Sequence, residues 1–378
     1  MRIGVVCHPT FGGSGVMATE LANHLGRMGH ELHVISYAQP VRLDPFNTHV
    51  HFHEVQVQDY PLFLYQPYEL ALSSAMVETV RKEKLDILHV HYAIPHAYAA
   101  FMARQILADQ GIHIPVVTTL HGTDITLVGQ LPAYKPAVCF SINRSTAVTA
   151  VSESLRAETI REFNIERDIQ VVPNFVDVKR YGRGDASARS RIAQPDEAIV
   201  CHVSNFRKVK RIPDVLHVFA EIRAQRAAKL VMVGDGPERL PAERLAAELG
   251  ISQDVLFLGK TSNVERILGV SDLFLLPSET ESFGLAALEA MASSVPVIAS
   301  RAGGLPEVVD HGVTGYLEDI GDVSAMAQRA LHILSSESTL AMFSQQALEA
   351  AHRFSMEQIG QAYLDLYTSL LHGEQAHR

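Results

Sequence analysis

The stretch from Leu273 to Ser300 reads LFLLPSETESFGLAALEAMASSVPVIAS, an apolar run, a polar turn, a helical pattern and a second apolar run. Short apolar runs separated by helical segments mark a parallel sheet buried on both faces. The alternation continues outward in both directions. RIGVVC, ELHVIS, DILHVH, PVVTTLH and AVTAVS read as strands in the first half, with helices such as 16–28 between them. AIVCHVS, KLVMVGDG, VLFLGK, LFLLPS and PVIAS repeat the pattern in the second half. A chain of 378 residues, 47% of them apolar, has material for two cores. The stretch between the halves is polar and broken by Pro and Gly. The expected organisation is therefore α/β, with one domain over 1–172, a linker over 173–197 and a second domain over 198–353. The last helical pattern, 354–371, has no strand after it and is free to pack on either domain.

A net charge of −10, from 32 Lys and Arg against 42 Asp and Glu, argues against a nucleic-acid partner held by a general positive field. Cys7, Cys139 and Cys201 lie far apart and outside any C-x-x-C pair, which fits a reducing compartment. No run reaches the roughly 18–20 apolar residues of a membrane span. The first apolar run is too short for a signal peptide. A cytoplasmic protein without a membrane span is expected.

In parallel sheets ligands bind beyond the carboxyl ends of the strands, so the motifs there carry the functional reading. After the first strand, Gly13, Gly15 and Ala18 match G-x-G-x-x-A, a weak signal that a tight turn explains equally well. A dinucleotide reader also needs an acid at the end of the second strand, where this chain has Ile35-Ser36-Tyr37-Ala38. That disfavours NAD and leaves a phosphate or a small anion for the helix start. His49, His51 and His53 alternate in THVHFHE and share a strand face as metal ligands do. Without an acid or Cys at fixed spacing, a solvated face is the simpler reading. His89, His91 and His96 follow or end another strand. In PVVTTLHGTD, Thr119 and His121 point the same way by period two. His121 either donates to a sugar hydroxyl or rests on a neighbouring backbone group.

In the second half, Ser204–Arg211 (SNFRKVKR) places Arg207, Lys208, Lys210 and Arg211 after a strand of an acidic protein. This suits a diphosphate better than a solvated turn. Glu281 and Glu289 stand eight positions apart. On a helix that separates them by about 12 Å along the axis, whereas paired carboxylates flanking one bond sit roughly 5–9.5 Å apart. They read as grips on the two ends of one elongated ligand, with phosphates at the free N–H groups near Ser282, Phe283, Gly284 and Leu285. The alternative is a capping acid plus an exposed Glu, with Leu285, Leu288 and Met291 as core contacts.

With these residues in view, Glu281–Glu289 (ESFGLAALE) resembles the E-x7-E motif of family 4 of the retaining glycosyltransferases. GGSGV at the first loop, the basic turn, VGDGP, SDLFLLPS and GGLPEVV extend the resemblance over nearly the whole chain. It implies the GT-B fold, two Rossmann-like parallel-sheet domains facing a cleft. The first would bind the acceptor and the second the nucleotide-sugar. HVHYAIPHA, VVTTLHGTDITLVG, TAVSESL and SNFRKVKR are similar to segments of the family members that open bacillithiol biosynthesis. The implied reaction moves N-acetylglucosamine from UDP-N-acetylglucosamine to the hydroxyl of L-malate, with no metal or other cofactor. Carried onto this chain, the resemblance assigns Glu289 to the uridine ribose and Glu281 to the donor sugar. Ser282, Phe283, Gly284 and Leu285 would hold the donor through their backbone. Arg207 and Arg211 would meet the diphosphate with the Gly13 N–H, and His121 would touch the sugar. The wider family pairs an Arg with a Lys a few positions on, which leaves open whether Lys210 or Arg211 faces the phosphates. Ser14, Tyr92, Thr119 and Arg144 are the acceptor candidates, Arg144 without a family motif. The only acid placed to act as a nucleophile on the first-domain side is Asp124, and its motif position does not suggest that role, so front-face displacement is implied. The alternatives are another acceptor, sugar or lipid, and a UDP-sugar-binding protein without turnover. Homodimer formation is left open.

Overall fold

The computed structural model describes residues 1–375 apart from positions 11, 60 and 185. The chain divides into two units: Met1–Asn174 together with the segment that begins at Met356, and Phe175–Ser355.

The first unit carries a seven-stranded sheet: β1 (Arg2–Val6), β2 (Glu31–Ser36), β3 (Val50–Glu54), β4 (Ile87–His91), β5 (Val116–Leu120), β6 (Ala147–Ala150) and β7 (Ile169–Val171). Their spatial order is β3-β2-β1-β4-β5-β6-β7, all parallel. β4 and β5 are buried along their whole length because helices cover both faces, which is why they read as unbroken apolar runs. The helix before β4, Tyr68–Glu83, puts Leu72, Met76 and Val80 into a core shared with Val6, Ile35 and Val90.

The second unit carries six parallel strands: β8 (Ala198–Val203), β9 (Ala228–Val233), β10 (Val255–Gly259), β11 (Leu273–Leu276), β12 (Val297–Ser300) and β13 (Gly315–Glu318), in the order β10-β9-β8-β11-β12-β13. In both sheets the order reverses beside the first strand, between β1 and β4 and between β8 and β11. Such a switch point opens a crevice at the strands' carboxyl ends.

The ends of the units differ from the expected 173–197 linker. From Phe175 onward that stretch belongs to the second unit, and arginines fasten it there. Arg189 forks onto Asp272 at 2.8 and 3.1 Å, and Arg183 donates to the carbonyls of Ser271 and Ser294. The final helix, Met356–Gln375, packs on the first unit. Tyr367 Oη lies 2.6 Å from His89 Nδ1, and the helix passes so close to His24 that a Cβ on Gly360 would stand 2.6 Å from its ring. Among the described residues no helix is long and apolar enough to cross a membrane.

Candidate functional site

In the second unit the loops after β8 and β11, neighbours at the switch point, hold the sequence-marked residues together. His202, buried at the end of β8, braces the first loop: its Nδ1 donates to the Leu275 carbonyl at 2.8 Å and its Nε2 lies 2.7 Å from Ser204 Oγ. Burial lowers this imidazole to about 4, so it is neutral at pH 7. The two loops are then joined by Glu279 N–H donating to the Val209 carbonyl.

Lys210 Nζ donates to Glu281 Oε1 at 2.5 Å, and Ser278 Oγ donates to the same oxygen at 2.8 Å. Both members of the pair are largely buried, with side chains 19% and 12% exposed, so the pair is poorly screened. Arg211 turns elsewhere. Its backbone is left-handed, at φ 50°, and its Nε donates to Asp214 Oδ2 at 2.6 Å on the following helix. Lys210 thus joins the E-x7-E motif, while Arg211 is engaged with its own helix start. Arg207 is exposed and, among the described residues, carries no ion pair.

The motif's helix runs Leu285–Ala292, so Glu281 stands outside it and helical rise does not govern the whole spacing between the glutamates. Gly284 is the N-cap and no side chain caps the helix, which suits its first N–H groups to an anion. Glu289 lies within the helix and accepts a 2.8 Å hydrogen bond from Tyr181 Oη. Tyr181 is buried and lies in the stretch expected as linker; sequence reasoning passed over it. Its signal is an aromatic side chain inside an otherwise polar, Gly-broken run.

GGLPEVV after β12 supports Glu281 from behind. Gly304 N–H donates to the Glu281 carbonyl at 2.8 Å, and a Cβ on Gly303, whose φ is 54°, would stand 1.9 Å from that carbonyl oxygen. Gly303→Ala must therefore push the Glu281 backbone aside. The expected result is a Tm lower by several degrees, from strain of about 1–3 kcal/mol, and a loss of activity near a hundredfold through misplacement of about 1 Å. Calorimetry and initial rates measure the two effects.

In the first unit, the helix Gly13–Arg27 starts directly after the glycine loop, and no side chain caps it. A Cβ on Gly15 would stand 2.4 Å from the His8 carbonyl oxygen, which explains a glycine there. Gly13 is exposed and Ser14 half-buried at this helix start. Beside it, four histidines gather at the ends of β1, β4 and β5. His8 lies against His96 with ring centroids 4.4 Å apart, and His91 stacks on His121, with His91 Nδ1 2.8 Å from His121 Nε2. That contact occupies Nε2 of His121 and leaves Nδ1 for a ligand. Tyr92, at φ 87°, sets its ring 5.4 Å from His121. A cavity of about 620 Å³ opens here, lined by His8, Tyr92, Tyr98, Asp124 and Tyr134 among others.

Asp124 is buried and accepts from the N–H groups of Ala93 at 2.9 Å, Gly122 at 3.0 Å and His121 at 3.3 Å. It latches the two loops to one another, which accounts for its position without a nucleophilic role. Thr119 is also buried. Its hydroxyl lies 2.7 Å from both His89 Nε2 and Thr149 Oγ1, inside the core. Arg144 is not brought to this site. It ends the helix Lys135–Arg144 just before β6, at the amino edge of the sheet, with its guanidinium 5.7 Å from the Phe140 ring centroid. Because all strands are parallel, the strand length separates it from the carboxyl-end residues. At the end of β2, where a dinucleotide site would carry its ribose acid, Ser36 Oγ donates to the Cys7 carbonyl.

Burial holds His89 and His96 down to about 3 and His91 well below its ordinary value, while it raises Asp124 to about 6. In the unfolded chain these histidines take up protons as the pH falls below about 6.5. The folded protein does not, so they cost stability progressively from there downward. Asp124 acts oppositely between its folded value of about 6 and the unfolded 3.8, because there the folded state holds the extra proton. The histidines outnumber it. Stability should therefore fall from pH 6.5 toward 4.5, by roughly 1.4 kcal/mol per pH unit for each net proton. Urea unfolding across that range checks the sign.

Residues 11–180 match the family described as Glycosyltransferase Family 4, and residues 185–350 match Glycosyl transferases group 1. The chain is 46% identical over 374 residues to N-acetyl-alpha-D-glucosaminyl L-malate synthase of Bacillus anthracis, covering 98% of this chain and 97% of that protein. It is 28% identical to D-inositol 3-phosphate glycosyltransferase of Saccharomonospora viridis over 94% of this chain and 89% of that one. Among solved structures, HepE of Anabaena in complex with UDP and glucose superposes with a TM-score of 0.81 at 22% identity, covering 98% of this chain and 100% of that one. Sucrose-phosphate synthase of Thermosynechococcus elongatus gives 0.80 at 21%, covering 98% and 99%. These last two speak for the fold. With two parallel-sheet units, the E-x7-E motif on its Lys210 and Tyr181 partners, and near full-length identity to a family member, the chain belongs to glycosyltransferase family 4 and has the GT-B fold.

Proposed function

We propose that this glycosyltransferase moves N-acetylglucosamine from UDP-N-acetylglucosamine to the hydroxyl of L-malate, with retention at the anomeric carbon, as the first step of bacillithiol biosynthesis. The observation that carries the reading is the 46% identity over 98% of the chain with a synthase of that name. Glu289, oriented by Tyr181, accepts from the uridine ribose hydroxyls, and Glu281 accepts from hydroxyls of the transferred sugar. Lys210 and Arg207 meet the diphosphate, joined by the N–H groups at the start of the helix Leu285–Ala292. From the first unit, the Gly13 N–H and His121 serve the donor. Ser14 and Tyr92 serve the acceptor, whose carboxylates suit the uncapped start of the helix Gly13–Arg27.

The bond from the anomeric carbon to the departing phosphate oxygen breaks, and the malate hydroxyl oxygen bonds to the same face. The malate proton passes to the departing phosphate. The protein supplies position and positive charge where the phosphate charge develops. Asp124, latched by three N–H groups, is not a nucleophile in this scheme. No metal or other cofactor takes part, and the reaction runs in the cytoplasm. Light scattering separates a monomer from a homodimer.

The test is UDP release from UDP-N-acetylglucosamine with a panel of hydroxy acids, sugars and lipids. Malate should raise the rate far above water. Release with a sugar or lipid but not malate would replace the acceptor, and donor binding without release under any condition would leave a binding protein.

A further inference from the structure

The alternating histidines of β3 acquire in the folded chain the partners that their sequence lacks. Parallel pairing sets His33 on β2 beside His51 and Ile35 beside His53, so all three imidazoles share one face. His33 Nδ1 lies 2.9 Å from His53 Nε2, and His51 stacks on His33 with ring centroids 5.0 Å apart. The helix Tyr68–Glu83 packs against Ile35 on this face and ends on Glu83. One ring nitrogen from His33, one from His53 and a carboxylate oxygen of Glu83 all lie within 4.8 Å of one another. Glu31 Oε1 and Oε2 accept from His49 Nδ1 at 2.6 Å and His51 Nε2 at 3.0 Å, which fixes the flanking rings.

We propose that His33, His53 and Glu83 form a binding site for a late first-row divalent cation such as Zn(II), separate from the glycosyl-transfer residues, which clamps the edge strand β3 to β2 and to the end of the helix Tyr68–Glu83. Two imidazoles and a carboxylate with a position open to water make a ligand set such ions favour. Tetrahedral coordination at about 2.0–2.1 Å spaces ligand atoms about 3.3 Å apart. The His33–His53 contact must therefore open by a few tenths of an ångström and Glu83 must swing inward. Its present partner, Lys82 Nζ at 3.3 Å, is a largely exposed lysine and yields readily.

Burial holds His33 down to about 4 and lowers His53 as well, so both are neutral at pH 7 and each has a lone pair to give. In the metal-free state one of the two facing nitrogens donates its N–H to the other; when the cation binds, that hydrogen moves to the same ring's other nitrogen, so that both facing nitrogens present lone pairs. His53 is half-buried on the edge strand, which gives the ion a route in from solvent. The sequence shows no partner at fixed spacing because the acid, Glu83, lies far beyond His53 in the chain and meets it only through the sheet and the helix.

The test titrates ZnCl2 calorimetrically into tag-free, chelator-treated full-length protein and into His53→Ala and Glu83→Gln. One equivalent should bind to the wild type, with affinity at least about tenfold weaker in each variant. Zinc should raise the Tm of the wild type and leave that of His53→Ala unmoved, and Co(II) should give a four- or five-coordinate visible spectrum only with the wild type. Malate-dependent transfer by metal-free His53→Ala should equal that of metal-free wild type. Absence of stoichiometric binding, or equal binding by wild type and both variants, would overturn the site and leave a neutral hydrogen-bonded histidine pair.

Discussion

Lys210→Met is expected to lower kcat by roughly two to three orders of magnitude, and Arg211→Met by less than about tenfold. The difference follows from where the two cations point. The Lys210 ammonium donates to Glu281 Oε1, the oxygen that also accepts from Ser278 Oγ, at the switch point between β8 and β11. An ammonium has three N–H donors, so one bond to Glu281 leaves two for phosphate oxygens. Its charge is placed before the substrate arrives and needs no reorganisation as the leaving group becomes more negative. Removing it also strands Glu281 with only the Ser278 hydroxyl. Arg211 is spent on Asp214, a partly exposed i,i+3 pair worth at most about 1 kcal/mol of stability. Steady-state kinetics with saturating donor separate the two variants. If Arg211→Met were the more damaging, the assignment of the diphosphate cation would have to be exchanged.

Glu289→Gln should raise the KM for UDP-N-acetylglucosamine by roughly ten- to a hundredfold with little change in kcat, because hydrogen bonds to a charged group are worth about 1.5–3 kcal/mol. The carboxylate is anchored by Tyr181 and, as proposed, meets the ribose, which is remote from the bond that breaks. The lost interaction is therefore present equally in the ground state and the transition state. Tyr181→Phe should give a smaller rise, since it removes the orienting bond and keeps the charge. Calorimetric titration with UDP alone should show the same loss for Glu289→Gln. A fall in kcat at unchanged KM would move Glu289 to the reacting end of the donor.

Much of this was legible in the sequence because the signals are local. β4, β5, β8 and β11 are buried on both faces and read as plain apolar runs between helical patterns. The basic turn and the two glutamates stand at strand ends, where a parallel sheet places its ligands. The short edge strands β7 and β13 escaped notice, as three and four residues carry too little periodicity. The helix after the glycine loop begins at Gly13, three residues earlier than its apolar pattern suggests, because glycine and serine give no hydrophobic signal. Tyr181 and the Lys210 orientation are non-local. Nothing adjacent in sequence says that a tyrosine before β8 reaches a helix after β11, or that a left-handed Arg211 turns its side chain to Asp214. Arg144 was placed by chemistry alone, as a cation for a dicarboxylate. The direction of β6 sets it at the other end of the sheet.

A single transfer from one donor to one acceptor is reported most directly by the anomeric proton of the product. With UDP-N-acetylglucosamine and L-malate, NMR should show malate carrying an α-linked N-acetylglucosamine at its hydroxyl, in an amount equal to the UDP released. Free N-acetylglucosamine alone, or a β-linked product, would contradict retaining transfer to malate.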